Sequence, residues 1–169
     1  MNSSLFSFPN PVNEVSARLV AGGVVLIAIA AIVSAQPWIF LVLAYGFVAR
    51  VLTGPTLSPL GQFVTRVVTP ALPFDEKLVP GPPKRFAQGI GAIFSVTAAL
   101  LVIGFDQVGA ASIVLAVLAA FAILESVFGV CVGCKVFALL MRAGLIPTEV
   151  CESCNNISLR SPATVVGSR

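Results

Sequence analysis

The sequence predicts an all-α integral membrane protein. The expected architecture is a four-helix transmembrane bundle with a cytoplasmic interfacial amphipathic helix and a short Cys-containing C-terminal segment. Three observations lead there. Charged residues make up 10% of the chain and mean hydropathy is +1.02, against roughly 25% charged in an ordinary soluble domain. Four apolar stretches are long enough, or nearly so, to cross about 30 Å of hydrocarbon. The basic residues gather on one side of those stretches.

The spans are expected at about 19–35, 36–53, 86–104 and 108–128. The first helix is predicted to begin near Asn10-Pro11, Asn as cap and Pro at the first helical position. Glu14 and Arg18 follow at i,i+4, a spacing that places them on one face as a surface pair at the headgroups. The second span is entered through Gln36-Pro37 and is the weakest, because Arg50 interrupts it near its end and must snorkel to the interface. Gly22-Gly23, Gly109-Ala110-Ala111 and Ala116 with Ala120 allow close helix approach in lipid. The start of the chain has neither a basic stretch nor a clear small-residue cleavage site, so the first span is expected to be retained.

The central loop carries its own helix, expected at about 59–69. Ser58-Pro59 is a start signal and Thr69-Pro70 a stop. Between them Leu60, Phe63, Val64, Val67 and Val68 recur at helical spacing, with Gln62, Thr65 and Arg66 opposite, which reads as an amphipathic helix in the interface. A semi-rigid Pro-rich link (Pro70, Pro73, Pro80, Pro82, Pro83) follows, and Lys84-Arg85 anchor the third span. Residues 1–144 form the membrane domain and 145–169 a cytoplasmic tail.

Charge sets the orientation. The turn between the first two spans has no charge, and that between the last two has only Asp106. All ten Lys and Arg lie on the other side or at its boundary: Arg18, Arg50, Arg66, Lys77, Lys84, Arg85, Lys135, Arg142, Arg160 and Arg169. The positive-inside rule then places both termini on the cytoplasmic side of the membrane. Arg18, Arg50, Gln88 and Glu125 stand at one depth near that edge. Glu125, beside a long uncharged run, needs a partner or water, and Arg50 or else Arg18 is the expected one. Glu14, Arg18, Arg50, Gln88 and Glu125 therefore form a predicted charge cluster. It reads either as a structural lock on the bundle or as a polar pocket in which Glu125 moves protons.

The chain has no histidine and four cysteines, arranged as Cys131-Val-Gly-Cys134 and Cys151-Glu-Ser-Cys154 after the last span. Two chemistries fit. The spacing C-x2-C-x16-C-x2-C suits a closed four-thiolate metal site of Cys131, Cys134, Cys151 and Cys154, holding one zinc in preference to iron. Alternatively Cys131 and Cys134 begin a short helix ending at Gly144. There a helix N-terminus and Lys135 would lower a thiol's pKa, making Cys131 a nucleophile and Cys134 its resolving partner. The catalytic set on that reading is Cys131, Cys134, Lys135 and Glu125, with no cofactor. A cytoplasmic placement argues against a permanent structural disulfide. A transporter is disfavoured, since no span is broken and no polar cluster lies at mid-depth.

The segments Phe8-Pro-Asn-Pro-Val-Asn-Glu14, Leu52-Thr-Gly-Pro-Thr-Leu-Ser-Pro-Leu-Gly61, Pro80-Gly-Pro-Pro-Lys-Arg-Phe-Ala-Gln-Gly89 and Cys131-Val-Gly-Cys134-Lys-Val-Phe137 resemble a bacterial membrane family of domain-of-unknown-function type, number 4395, common in actinobacteria. The likeness covers roughly residues 10–154. The family has no established activity and so supplies no catalytic residues. The resemblance implies thiol or sulfur handling beside a thioredoxin-like protein or a sulfurtransferase. The remaining expected partner is the lipid bilayer; nucleic acid is not expected.

Overall fold

A computed structural model of the chain describes residues 8–73 and 77–151. Four long helices share one core: α1 (Glu14–Ser34), α2 (Pro37–Thr53), α5 (Gly81–Phe105) and α6 (Val108–Phe128). Between α2 and α5 lie α3 (Pro59–Phe63), a π-helical turn (Val64–Val68) and α4 (Thr69–Ala71). After α6 come α7 (Val132–Arg142) and a 3-10 turn (Thr148–Cys151).

The core is built from small residues, as close helix packing in lipid requires. Ala28, Ala31, Ala98 and Ala111 are wholly buried beside Phe40 and Leu115. Gly91 gives Phe47 its place: a Cβ there would lie 2.2 Å from the ring. Helix α2 packs on α5, α1 on α6 and α5 on α6. Large apolar side chains point outward instead, among them Leu26, Val33, Ile93, Phe105 and Ile113. Such a surface is stable in hydrocarbon and not in water. Three helices, α1, α5 and α6, are long and apolar enough to cross a membrane. Helix α2 is shorter at 17 residues, about 25 Å at about 1.5 Å per residue.

Two expectations about where helices start, and one about which face is buried, need correction. Helix α1 starts at Glu14, where Asn13 caps it by accepting from the Val15 N–H at 2.9 Å. Asn10, the expected cap, instead accepts from the Gly81 N–H at 3.0 Å. Residues 12–13 are drawn into a two-stranded antiparallel pair, β1 (Val12–Asn13) with β2 (Leu78–Val79). The supposed Pro-rich link thus carries a strand, and its end is helical. Pro82 and Pro83 occupy the first turn of α5, where a missing N–H costs nothing, so the helix begins five residues before Phe86. The central helical segment also differs in its faces. Leu60 and Val64 turn into the bundle, with Leu60 over Gly23, while Phe63 and Val67 are exposed at 57% and 54%.

Candidate dithiol site

Helix α6 stops at Gly129, whose φ of 67° closes the helix with its N–H on the Glu125 carbonyl. Two residues later the chain starts α7, with Cys131 in the cap position. The capping acceptor is a sulfur. Cys131 Sγ receives the Cys134 N–H at 3.4 Å and the Cys134 thiol at 2.7 Å. Both cysteines are free; Cys131 is buried and Cys134 half-buried. Gly133 between them lets α7 lie directly on α5, since a Cβ there would fall 2.6 Å from Ala87 Cβ and 2.7 Å from Ala87 Cα.

This geometry separates the two thiols. The hydrogen bond from the Cys134 thiol is the largest influence on Cys131 and pulls its pKa below the ordinary value. Burial and the Glu125 carboxylate oppose it, while the Lys84 ammonium and the Cys134 N–H assist. Cys134, the donor in the same bond, is pushed strongly upward, and burial adds to that. The shared hydrogen bond thus favours the ionised form at Cys131 and the protonated form at Cys134.

Beneath the pair lies an ion pair that joins two helices. Lys84 Nζ donates to Glu125 Oε1 at 2.6 Å, with side chains only 10% and 16% exposed. Glu125 therefore pairs with Lys84, and not with Arg50 or Arg18 as expected. Lys84 and Gln88 share a face of α5 at i,i+4. Arg50 uses that face too, donating to Gln88 Oε1 at 3.0 Å and to Ser58 Oγ at 3.2 Å and lying 4.4 Å above the Phe47 ring. Arg18 closes the end of α6, donating to the Ser126 carbonyl at 3.1–3.2 Å and to the Val127 carbonyl at 2.9 Å. A cation is well placed at helix C-terminal carbonyls. Glu14 leaves Arg18 and pairs with Lys77 at 2.8 Å, because β2 brings Lys77 to the start of α1.

Of the residues expected around the cysteines, Glu125 is present and Lys135 is exposed on α7. Lys84 is the cation that acts on Cys131. The helix signal that could have found it was the Pro82-Pro83 pair, which moves the start of α5 upstream and turns Lys84 onto the Gln88 face. Cys151 ends the 3-10 turn, 3% exposed and disulfide-bonded, against the expectation that the cysteines would stand outside any disulfide. Cys154 lies outside the described residues, and so does the complete four-cysteine set of the metal reading. Among the described residues no group of three or more His, Cys, Asp or Glu is arranged to hold a metal ion.

Outward-facing apolar helices, and a charged end that carries two free, hydrogen-bonded thiols at a helix N-terminus, define a membrane-embedded helical protein with a dithiol at its edge. Over residues 12–142 the chain matches the family described as Domain of unknown function (DUF4395), and it belongs to that family. The matched region contains Cys131 and Cys134 and stops before Cys151. No curated protein and no solved structure matches it.

Proposed function

We propose that this is a four-span membrane thiol–disulfide protein with both termini in the cytoplasm, exchanging with a cytoplasmic thioredoxin-like or sulfurtransferase partner. One observation carries the reading: Cys131 Sγ caps α7 and accepts both the N–H and the thiol of Cys134. Among the described residues the basic side chains and the cysteines share one end of the bundle, which supports the cytoplasmic placement.

In the reducing direction the Cys131 thiolate attacks one sulfur of the partner's disulfide, and the partner's other sulfur leaves as a thiolate and is protonated. Cys134 then gives up its proton and attacks Cys131, releasing the partner's second thiol and closing a Cys131–Cys134 disulfide. Two electrons pass to the partner, which gains two protons, one given up by Cys134 and one taken from solvent. Lys84 offsets the charge of the attacking sulfur, and Glu125, bound to Lys84, is the group suited to take up and return protons. A second dithiol protein resets the pair.

The test uses the purified full chain and thioredoxin in its disulfide form as the probe. The Cys134→Ser variant should trap a Cys131–thioredoxin mixed disulfide, and Cys131→Ser should trap none. One zinc per chain with thiols masked until chelation, or no trap at all, would sink the reading.

A further inference from the structure

The chain does not leave the bundle at the end of α2. Tyr45 Oη donates to the Leu57 carbonyl at 3.1 Å, and Tyr45 precedes Thr53, the last residue of α2, by about 12 Å of helix. Residues 54–58 have therefore turned back along α2, below the charged end. The helical segment that follows climbs out again beside α1. Leu60 lies against Gly23, where a Cβ would meet Leu60 Cδ1 at 2.6 Å, and Thr69 Oγ1 shares a hydrogen bond of 3.0 Å with Ser16 Oγ. Gly23 and Ser16 are about 10 Å apart along α1, so the segment runs antiparallel to it. Backbone groups at that depth need partners other than water, and they have them. Besides Tyr45 on the Leu57 carbonyl, the Gln62 amide donates to the Thr56 carbonyl, and the Leu57 N–H donates to Thr53 Oγ1 at 3.3 Å.

The outer face of this segment is a groove of about 450 Å³ lined by Leu57, Gln62, Phe63, Arg66 and Val67. Leu57, Phe63 and Val67 are exposed, and through Tyr45 they continue the exposed apolar face of α2 at Val48 and Leu52. Arg66 is less than one helical turn short of Thr69, which puts it level with Arg18 at the charged end. It is exposed and makes no hydrogen bond or ion pair among the described residues.

We propose that this groove holds one phospholipid of net negative headgroup, its phosphate on Arg66 and an acyl chain running down over Phe63 and Leu57 to Tyr45. The direction of the groove specifies a lipid: its apolar floor starts level with the charged end and descends into the surface that faces hydrocarbon. Its cation stands at the top, where a headgroup lies. Its lining residues include no carboxylate. A zwitterionic headgroup brings its own cation and leaves the Arg66 charge unbalanced, whereas an anionic one balances it. The site is separate from the cysteines and stands without the dithiol reading.

The test is native mass spectrometry of the purified full chain in mild detergent, titrated separately with phosphatidylglycerol and phosphatidylcholine of the same acyl chains. One phosphatidylglycerol per chain should be retained, about fivefold more tightly than phosphatidylcholine, as one basic side chain at an anionic surface gives. Arg66→Gln should abolish the preference and Arg66→Lys should keep most of it. Arg142→Gln, which removes an exposed arginine of α7, should leave it unchanged. Phe63→Ser should weaken both lipids alike. Equal retention of the two lipids by wild type, a preference that survives Arg66→Gln, or displacement of the lipid by millimolar inorganic phosphate would overturn the assignment.

Discussion

Gly133→Ala tests whether the seating of α7 on α5 sets the chemistry of Cys131. The added Cβ would lie 2.6 Å from Ala87 Cβ, where ordinary contact begins at 3.4 Å, so α7 must retreat by roughly 0.8 Å. Overpacking of that kind costs about 1–3 kcal/mol. The better helix propensity of Ala returns about 1 kcal/mol, leaving a net loss of about 0–2 kcal/mol. The retreat also draws Cys131 away from Lys84. Less of the Lys84 field then reaches the sulfur, so its pKa rises toward the ordinary thiol value and the reactive thiolate becomes scarcer at neutral pH. Thermal unfolding in detergent measures the first effect, and the rate of Cys131 alkylation by iodoacetamide at pH 7 the second. Gly89→Ala is the control: nothing lies within 4 Å of its added Cβ, so it should be neutral or stabilising by up to about 1 kcal/mol, with alkylation unchanged. Ala87→Gly should rescue Gly133→Ala only in part, because the α5 backbone at residue 87 would still lie 2.7 Å from the new methyl group. A Gly133→Ala protein as stable and as reactive as wild type would refute the seating argument.

Further outcomes follow from the same packing. Lys84→Met should slow Cys131 alkylation at neutral pH severalfold while Lys135→Met leaves it near wild type; equal effects, or the reverse ranking, would refute the assignment of Lys84 as the acting cation. The reduced protein should be most stable on the alkaline side of neutral. The Cys131 pKa is depressed on folding, so its contribution is complete above the ordinary thiol value of 9.0 and is lost as pH falls through the folded value. The Cys134 pKa is raised, so its contribution has the opposite sign and declines above 9.0. Unfolding midpoints from pH 5 to 10, with the oxidised protein as reference, check both slopes. Arg18→Ala, which uncaps α6, should cost about 1–2 kcal/mol. Lys77→Ala, whose side chain is 73% exposed, should cost less than about 0.5 kcal/mol in the same melt.

The long helices were legible because each is an apolar run closed by a polar or turn residue. Predicted spans at 36–53 and 108–128 meet helices Pro37–Thr53 and Val108–Phe128, and the short helix after Cys131 is also present. What the sequence concealed is which charges meet. Glu125 had three cations near its depth, and choosing among them needs the rotation of α5 about its own axis. That rotation depends on where the helix begins, and Pro82-Pro83 reads equally well as loop and as first turn. Glu14 was misassigned because helical spacing favours Arg18, while a strand pairing across more than sixty residues brings Lys77 closer. Local patterns reveal the neighbours along one helix. They are silent about the helix beside it.

The charges at this end of the bundle form one connected set, and their sum explains why the site suits a thiolate. Arg50 and Lys84 are both buried, at 5% and 8% exposure, and Glu125 acts on each of them. Two cations against one carboxylate leave a net positive charge in a poorly solvated place, and one guanidinium nitrogen of Arg50 has no hydrogen-bond partner among the described residues. Buried charge of that kind is costly until an anion balances it. A Cys131 thiolate supplies the missing charge, within the field of Lys84. When the pair closes to a disulfide the balance is lost again, so the charge set itself favours the reduced, ionised form of Cys131. An exposed Lys135 does not give that result, because solvent would screen it. The opposing cation is effective because it stands on a different helix and beneath the sulfur.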